Sequence, residues 1–388
     1  MGMGKASYLK AITSKVPSYK SVRVDKKMEG SSPPSVFIGR AGYPNVYVGP
    51  LMSNEDSRTE IYDMPEMWIR KGIDVKNIID MRLSLVRGMK KTKVTDVGDR
   101  LVERLREISL SEKSVYGEVE FSKKPRGVSF NEEHQPFGPS APLKELEVGN
   151  PYWDRSMEKA HYDTDLLSKE AVITLYNKGL PFSAIQKAFS TGSFGIGKKR
   201  KLVPTRWSIT AVDTMLGDAL LREVRHNSVI EEYRVYEFES LRNKYIVLLV
   251  PTAWQYEWFE AFINVMGKGT HIFNDYEHNR GKKGYSPVGG CFYSCRFALL
   301  EGMRDAKIQA GAIVLREAYE DYIPLGVFNV RENVREAMKK TPAEFHTMKE
   351  ALSYIRGKLR LPLETYIEQS YLFGDIIRER QKALAAFL

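Results

Sequence analysis

The chain has 388 residues, which sets a soft prior of about two domains. At 43% hydrophobic and 28% charged residues it can bury a substantial core, which excludes a disordered chain. The net charge of +10 and pI near 9.2 favour a nucleic acid or another acidic partner, and say nothing of the fold. No apolar run approaches the ~20 residues that span a bilayer. Met1–Lys5 lacks the charged-then-apolar pattern of a signal peptide, so a cytoplasmic protein without a membrane partner is expected. Cys291 and Cys295 are too few for a disulfide framework or a four-cysteine zinc site, and both are expected to be structural.

In chain order, Val36–Ile38 and Val46–Val48 read as two short strands joined by a glycine-containing turn. Residues 59–70 fit a helix limited by Pro65. Asp74 to Met89 carries apolar residues at helical spacing, and Val97 to Ile108 more strongly so. Between Phe121 and Asn150 the breakers Pro125, Gly127, Pro136, Gly138, Pro139, Pro142 and Gly149 predict an extended connector. Helices are expected over 165–178, 181–189 and 208–225, the last with Ser208 as its N-cap, and Asp165 reads as the cap of the first. Tyr233–Phe238 and Tyr245–Val250 read as paired strands, Tyr256–Val265 as a helix with an aromatic face, and Ser294–Met303 as a helix. Ile313–Leu315 and Val327–Val330 read as strands, and 332–340 as a helix. Thr341-Pro-Ala-Glu344 reads as a capping box opening a helix to Lys358, with a last helix over 363–380. The sum is an α+β chain with mixed short-stranded sheets and many helices, not a regular βαβ fold. Its expected division is an N-terminal region 1–125, a connector 126–150, a larger domain 151–372 and a C-terminal helix end and tail 373–388.

Lysines and arginines cluster at Lys90-Lys91-Thr92-Lys93, Lys123-Lys124-Pro125-Arg126 and Lys198-Lys199-Arg200-Lys201. Each alone reads as a solvated face. Gly192 to Lys198 matches G-x-x-x-x-G-K, but Lys199 stands where a phosphate loop needs Ser or Thr, and a helix precedes it where a strand is needed. The alternative is a glycine loop whose amides and cations Lys198, Lys199, Arg200 and Lys201 face a phosphate backbone. Arg206 and Trp207 follow at once. Arginine can fork onto phosphate and tryptophan can stack on a base; equally, Trp207 could be core and Arg206 paired with a carboxylate such as Asp213. Two acid–histidine clusters stand out, His161-Tyr-Asp163-Thr-Asp165 and Asp275-Tyr-Glu277-His278. A metal-dependent nuclease gathers two or three carboxylates on one or two cations, so Asp163, Asp165 and Asp213 are the candidates for catalysis. Structural capping is the competing reading, and the second cluster reads as an exposed loop. No cofactor is expected beyond a divalent cation under the nuclease reading.

The last eight residues read Q-x-x-L-x-x-F-L. Gln381, Leu384, Phe387 and Leu388 are close to the peptide by which partners dock on DNA sliding clamps: a Gln in a polar pocket, then an aliphatic and an aromatic anchor in one apolar pocket. Leu388 stands where an aromatic is usual. The alternative is that Leu384, Phe387 and Leu388 form the apolar stripe of a last helical turn.

Ser32-Pro-Pro-Ser-Val-Phe-Ile-Gly-Arg40, Gly42-Tyr-Pro44, Val48-Gly-Pro-Leu51, Asp163-Thr-Asp165, Lys201 to Asp213 and Pro324 to Glu332 together resemble the archaeal Nre DNA-repair family. The resemblance covers nearly the whole chain. It implies a cytoplasmic repair protein whose partners are a sliding clamp of the PCNA type, DNA and other repair proteins. It supplies no reaction and no catalytic residues. Family members often open with a cysteine-rich zinc segment; Met1 to Val16 holds no cysteine, so no zinc role carries over. The expected function is therefore a clamp-recruited repair factor, with a nuclease or a repair scaffold without DNA contact as alternatives.

Overall fold

The computed structural model describes residues 4–14, 19, 21–131, 134–265, 267, 269–282 and 284–374. The chain forms two compact units. One comprises residues 15–216 and 324–328; the other comprises 1–14, 217–323 and 329–388. Among the described residues the strands make two mixed six-stranded sheets, so the α+β class holds. No described helix is long and apolar enough to cross a membrane.

The first unit is built on β1 (Lys27–Ser32), β2 (Val36–Ile38), β3 (Asn45–Met52), β4 (Val86–Lys93), β5 (Val115–Phe121) and β6 (Ser140–Val148), ordered β1-β5-β6-β4-β3-β2. β1 and β2 act as one strand bent at Pro33-Pro34, which have no N–H to give a ladder. The first half pairs with β5 and the second half with β3, both antiparallel. Ser31 and Ser53 exchange backbone hydrogen bonds of 3.1 and 2.8 Å, so β1 also meets the end of β3 and the sheet closes on itself. Serine hydroxyls tie down the bend. Ser32 donates to the Leu51 carbonyl at 2.8 Å, and Ser35 donates to Asp63, whose other carboxylate oxygen takes the buried Arg82 guanidinium at 2.7 Å. Only β4 and β6 run parallel. Inward residues of β3 to β6, among them Val46, Val48, Val86, Val119 and Leu143, fill the interior.

α2 (Pro65–Arg70) and α3 (Val75–Leu83) lie between β3 and β4, and α4 (Arg100–Ser109) between β4 and β5. Asp74 and Asp99 cap α3 and α4 by accepting amide hydrogens. α4 turns Leu101, Val102, Leu105 and Ile108 into the interior of the closed sheet. α5 (Arg155–Tyr162), α6 (Ser168–Asn177) and α7 (Phe182–Ser190) follow, and then α8 (Thr205–Val224).

The second unit takes α1 (Lys5–Ser14), the sheet β10-β9-β11-β8-β7-β12, and the remaining helices. Its strands are β7 (Tyr233–Ser240), β8 (Asn243–Val250), β9 (Tyr256–Ile263), β10 (Thr270–Glu277), β11 (Gly311–Ala318) and β12 (Ala343–Phe345); the helices are α9 (Gly290–Asp305), α10 (Phe328–Met338), α11 (Met348–Arg356) and α12 (Leu363–Ile367). β9 and β11 are parallel neighbours at the centre and are buried at every position. Charges inside this unit are paired, as burial demands: Glu260 meets Lys5 and Arg316, and Glu277 accepts from Arg296 at 2.7 Å and from the Trp254 indole at 2.8 Å. Buried Glu257 accepts the amides of Tyr371 and Leu372 at 3.0 and 3.1 Å and a short hydrogen bond from Ser370.

Several expectations are corrected. Asp74 to Met89 is a helix only to Leu83; Val86 onward is β4. Tyr256–Ile263 is a central strand, and α10 opens at Phe328, within the expected strand Val327–Val330. Thr341 opens no helix; the capping box is made by Thr347 and Glu350 at α11. Residues 140–148, within a stretch read as broken by prolines and glycines, form β6. Ser208 lies inside α8 rather than capping it. Cys291 and Cys295 are buried on α9, where burial pushes the Cys295 thiol up.

Candidate nucleic-acid interface

α7 ends at Ser190, and Gly192 then turns the chain at φ 67°, where a Cβ would lie 2.6 Å from the Lys201 carbonyl oxygen. The loop closes on itself. The amides of Gly192, Ser193, Gly197, Lys199 and Arg200 all donate to backbone carbonyls, and the loop follows a helix instead of a strand. A cradle of those amides around a phosphate is therefore not formed. Arg200 is also engaged internally. Its guanidinium donates to the carbonyls of Gly195 at 2.7 Å, His161 at 2.7 Å and Asp163 at 2.9 Å, and burial lowers its pKa. Of the four basic residues expected to face DNA here, Lys198, Lys199 and Lys201 are exposed and Arg200 is a staple.

From Lys201 the chain runs beside the closed sheet. The Leu202 amide donates to the Val94 carbonyl at 2.8 Å, just past β4, and the Val94 amide donates to the Pro44 carbonyl at 2.9 Å. Thr205, the first residue of α8, accepts from the Ile38 amide at 3.0 Å. These bonds bring Lys201, the end of β4 and the turn before β3 together. Arg206 is half-buried. Trp207 is 43% exposed and packs on Tyr43, itself 51% exposed, with ring centroids 5.1 Å apart. Trp207 is thus a surface residue, as base stacking requires.

The β3–β4 ladder extends this surface. Asn45 is opposite Lys93 and Tyr47 is opposite Lys91. Opposed residues share a face, and Val46 and Val48 point inward. The outward face therefore presents Tyr47, 49% exposed, between Asn45, Lys91 and Lys93. Lys90–Lys93 and Lys198–Lys201, separate patches in the sequence, meet through the Leu202–Val94 hydrogen bond. Tyr43 and Tyr47 were not anticipated. The signal was available as period-2 alternation over Asn45–Val48, with the aromatic on the polar side.

The carboxylates behave differently. Asp163 follows the last turn of α5 and accepts the Leu166 amide at 3.0 Å; its carboxyl is held below the ordinary value by hydrogen bonding, first from Asp165 and then from that amide. Asp165 caps no helix, since α6 starts at Ser168. Asp213 is buried within α8. Among the described residues no three His, Cys, Asp or Glu side chains gather where they could share a metal ion. His161 is set against the Ser193 carbonyl at 3.0 Å, and burial lowers its pKa. In the second cluster, Asp275 and Glu277 are buried on β10, not in an exposed loop; Asp275 accepts from Lys282 at 2.7 Å and from Ser286 at 2.5 Å. Gln381, Leu384, Phe387 and Leu388 lie outside the described residues.

Comparison with known proteins agrees over nearly the whole length. The family model described as "Archaeal Nre, N-terminal" matches residues 5–266, and "Archaeal Nre, C-terminal" matches 277–387. The chain is 38% identical to DNA repair protein NreB of Archaeoglobus fulgidus over 95% of its own length and 93% of that protein's. It is 36% identical to DNA repair protein NreA of the same organism, over 86% of each chain. DNA repair protein NreA of Haloferax volcanii is 31% identical, over 86% of this chain and 83% of that one. No solved structure matches. The chain belongs to the archaeal Nre family.

Proposed function

We propose that this protein is a DNA-repair factor that contacts DNA through the face carrying Lys91, Lys93, Lys201 and Trp207, and that it docks on a sliding clamp through residues 381–388. The repair role draws on the names of its relatives. The observation that carries DNA contact is the convergence on one surface of two lysine runs, distant in sequence, with three exposed aromatic rings. Lysines beside a polyphosphate release its counterions, and exposed rings offer stacking platforms. Clamp docking is supported by the spacing Gln381, Leu384, Phe387, Leu388.

The test of docking is calorimetric titration of an archaeal sliding clamp with the full chain and with a chain lacking residues 381–388. The expected result is heat of binding with the first and none with the second, at unchanged thermal stability. Equal heats would remove the tail from the account.

A further inference from the structure

The closed sheet of the first unit has a definite topology. With β1 and β2 taken as one bent strand, five strands succeed one another around the ring as β1/β2, β3, β4, β6, β5 and back to β1. The third strand in sequence, β4, runs parallel to the fifth, β6, and every other pair is antiparallel. A single helix, α4, joins the third strand to the fourth and plugs the interior with Leu101, Val102, Leu105 and Ile108. The bent first strand serves two neighbours, β5 with its first half and β3 with its second. This is the Greek-key barrel of the oligonucleotide- and oligosaccharide-binding type, in which the ligand lies across the second and third strands, flanked by the loop between the first two strands and the loop between the last two.

Carried onto this chain, those strands are β3 and β4, and the first flanking loop is residues 39–44. That is where Tyr47, Lys91, Lys93 and the Tyr43–Trp207 pair stand. The two arguments are independent: one comes from strand order, the other from side-chain exposure and charge. We infer that the β3–β4 face of this barrel binds single-stranded DNA, with bases stacked on Tyr47 and on the Tyr43–Trp207 pair and the backbone held by Lys91 and Lys93. The inference rests on the reading of this face as a DNA contact and narrows it. A duplex keeps the π-faces of its bases stacked on one another, so exposed rings offer it little, whereas an unpaired base can lie flat on them. A neutral oligosaccharide also stacks on aromatic rings, but it carries no charge to match the flanking lysines.

The experiment is fluorescence anisotropy of the full-length protein with a labelled oligothymidylate of ~15 nucleotides, within the range one such barrel covers, against a duplex and an RNA of the same length. The chains compared are native, Tyr47→Ala, Tyr47→Phe and Lys91→Ala. Both positions carry solvent-facing side chains, and circular dichroism verifies folding. Single strands are expected to bind more tightly than duplex, Tyr47→Ala to lose about ten-fold, Tyr47→Phe to restore most of it, and Lys91→Ala to flatten the salt dependence. Duplex binding equal or tighter, with Tyr47→Ala inert and Lys91→Ala impaired, would overturn the single-strand inference and leave the DNA-contact reading standing. A preference for RNA would overturn the assignment to DNA. No binding of any of them at low salt would overturn both readings.

Discussion

Arg200 and Lys201 are adjacent cations in opposite roles. Arg200 turns inward onto three carbonyls drawn from Gly195, His161 and Asp163, while Lys201 stays in solvent. Replacing Arg200 by alanine leaves those carbonyls without their donor. The expected cost is about 2 kcal/mol in a denaturant titration, the scale of a few charge-assisted hydrogen bonds. Lys201→Ala should leave stability within about 0.5 kcal/mol and instead lower the slope of log affinity for DNA against log salt by ~1. If Arg200→Ala is as stable as the native chain but lowers the slope, the assignment of roles is reversed. Nothing in the run Lys198-Lys199-Arg200-Lys201 tells which cation points inward, because two of the carbonyls that capture Arg200 belong to the C-terminal end of α5, up to 39 residues away in sequence. Trp207 was similarly undecided in the sequence; its position on Tyr43 depends on Thr205 being fastened to Ile38. Asp163 and Asp165 read as metal ligands or as structural caps, because alternating carboxylates serve either use; the structure shows Asp163 accepting the Leu166 amide.

The elements that sequence periodicity misread failed for separate reasons. β9 is buried on both faces, so Tyr256 to Ile263 shows no polar side and its aromatic spacing passes for a helix. β4 begins apolar and ends in lysines, so its first residues extend the helical pattern of α3. β6 carries Pro142, which reads as a breaker, but it pairs with Met89 in a short parallel ladder. The hairpin of Val36–Ile38 with β3 and the pair β7–β8 were legible, because both are antiparallel neighbours in sequence. Within the barrel Gly49 is one of several glycines that leave no room for a side chain. A Cβ on Gly49 of β3 would collide with the Gly88 carbonyl of β4. Gly49→Ala must push apart the two strands that carry the proposed DNA face, and a loss of roughly 1–3 kcal/mol is expected, the range for overpacking. Thermal melting followed by far-ultraviolet dichroism measures it; an unchanged midpoint would mean the strands are not held that closely.

At the scale of the whole chain, composition and pattern gave the α+β class but not which basic runs share a surface, since that depends on ladders and loops that join residues more than a hundred positions apart. The two units also differ in how they hold charge. The first buries Lys187 and Arg82 on Asp63 and exposes its other described lysines, whereas the second buries Glu257, Glu260, Glu277 and Glu317 and pairs or hydrogen-bonds them. Glu257 is the clearest of these. Burial raises its pKa above the ordinary glutamate value, and the hydrogen bonds from Ser370, Tyr371 and Leu372 oppose that rise without cancelling it. A carboxyl with a raised folded-state pKa favours folding most when protonated. Its contribution is complete below the unfolded value and is lost as pH rises through the folded one. Stability of the native chain relative to Glu257→Gln should therefore fall as pH climbs from the ordinary glutamate range into the raised one. Denaturant midpoints across that window measure it, and parallel curves would show that Glu257 does not titrate differently on folding.

Glu257 holds Ser370 to Leu372, with Phe373 buried beside them, close to the end of the described residues. Gln381 follows Phe373 by eight residues, and a polypeptide cannot exceed ~3.6 Å per residue. Any partner that takes Gln381 would therefore lie within about 29 Å of Phe373, a limit that follows from the residue count alone.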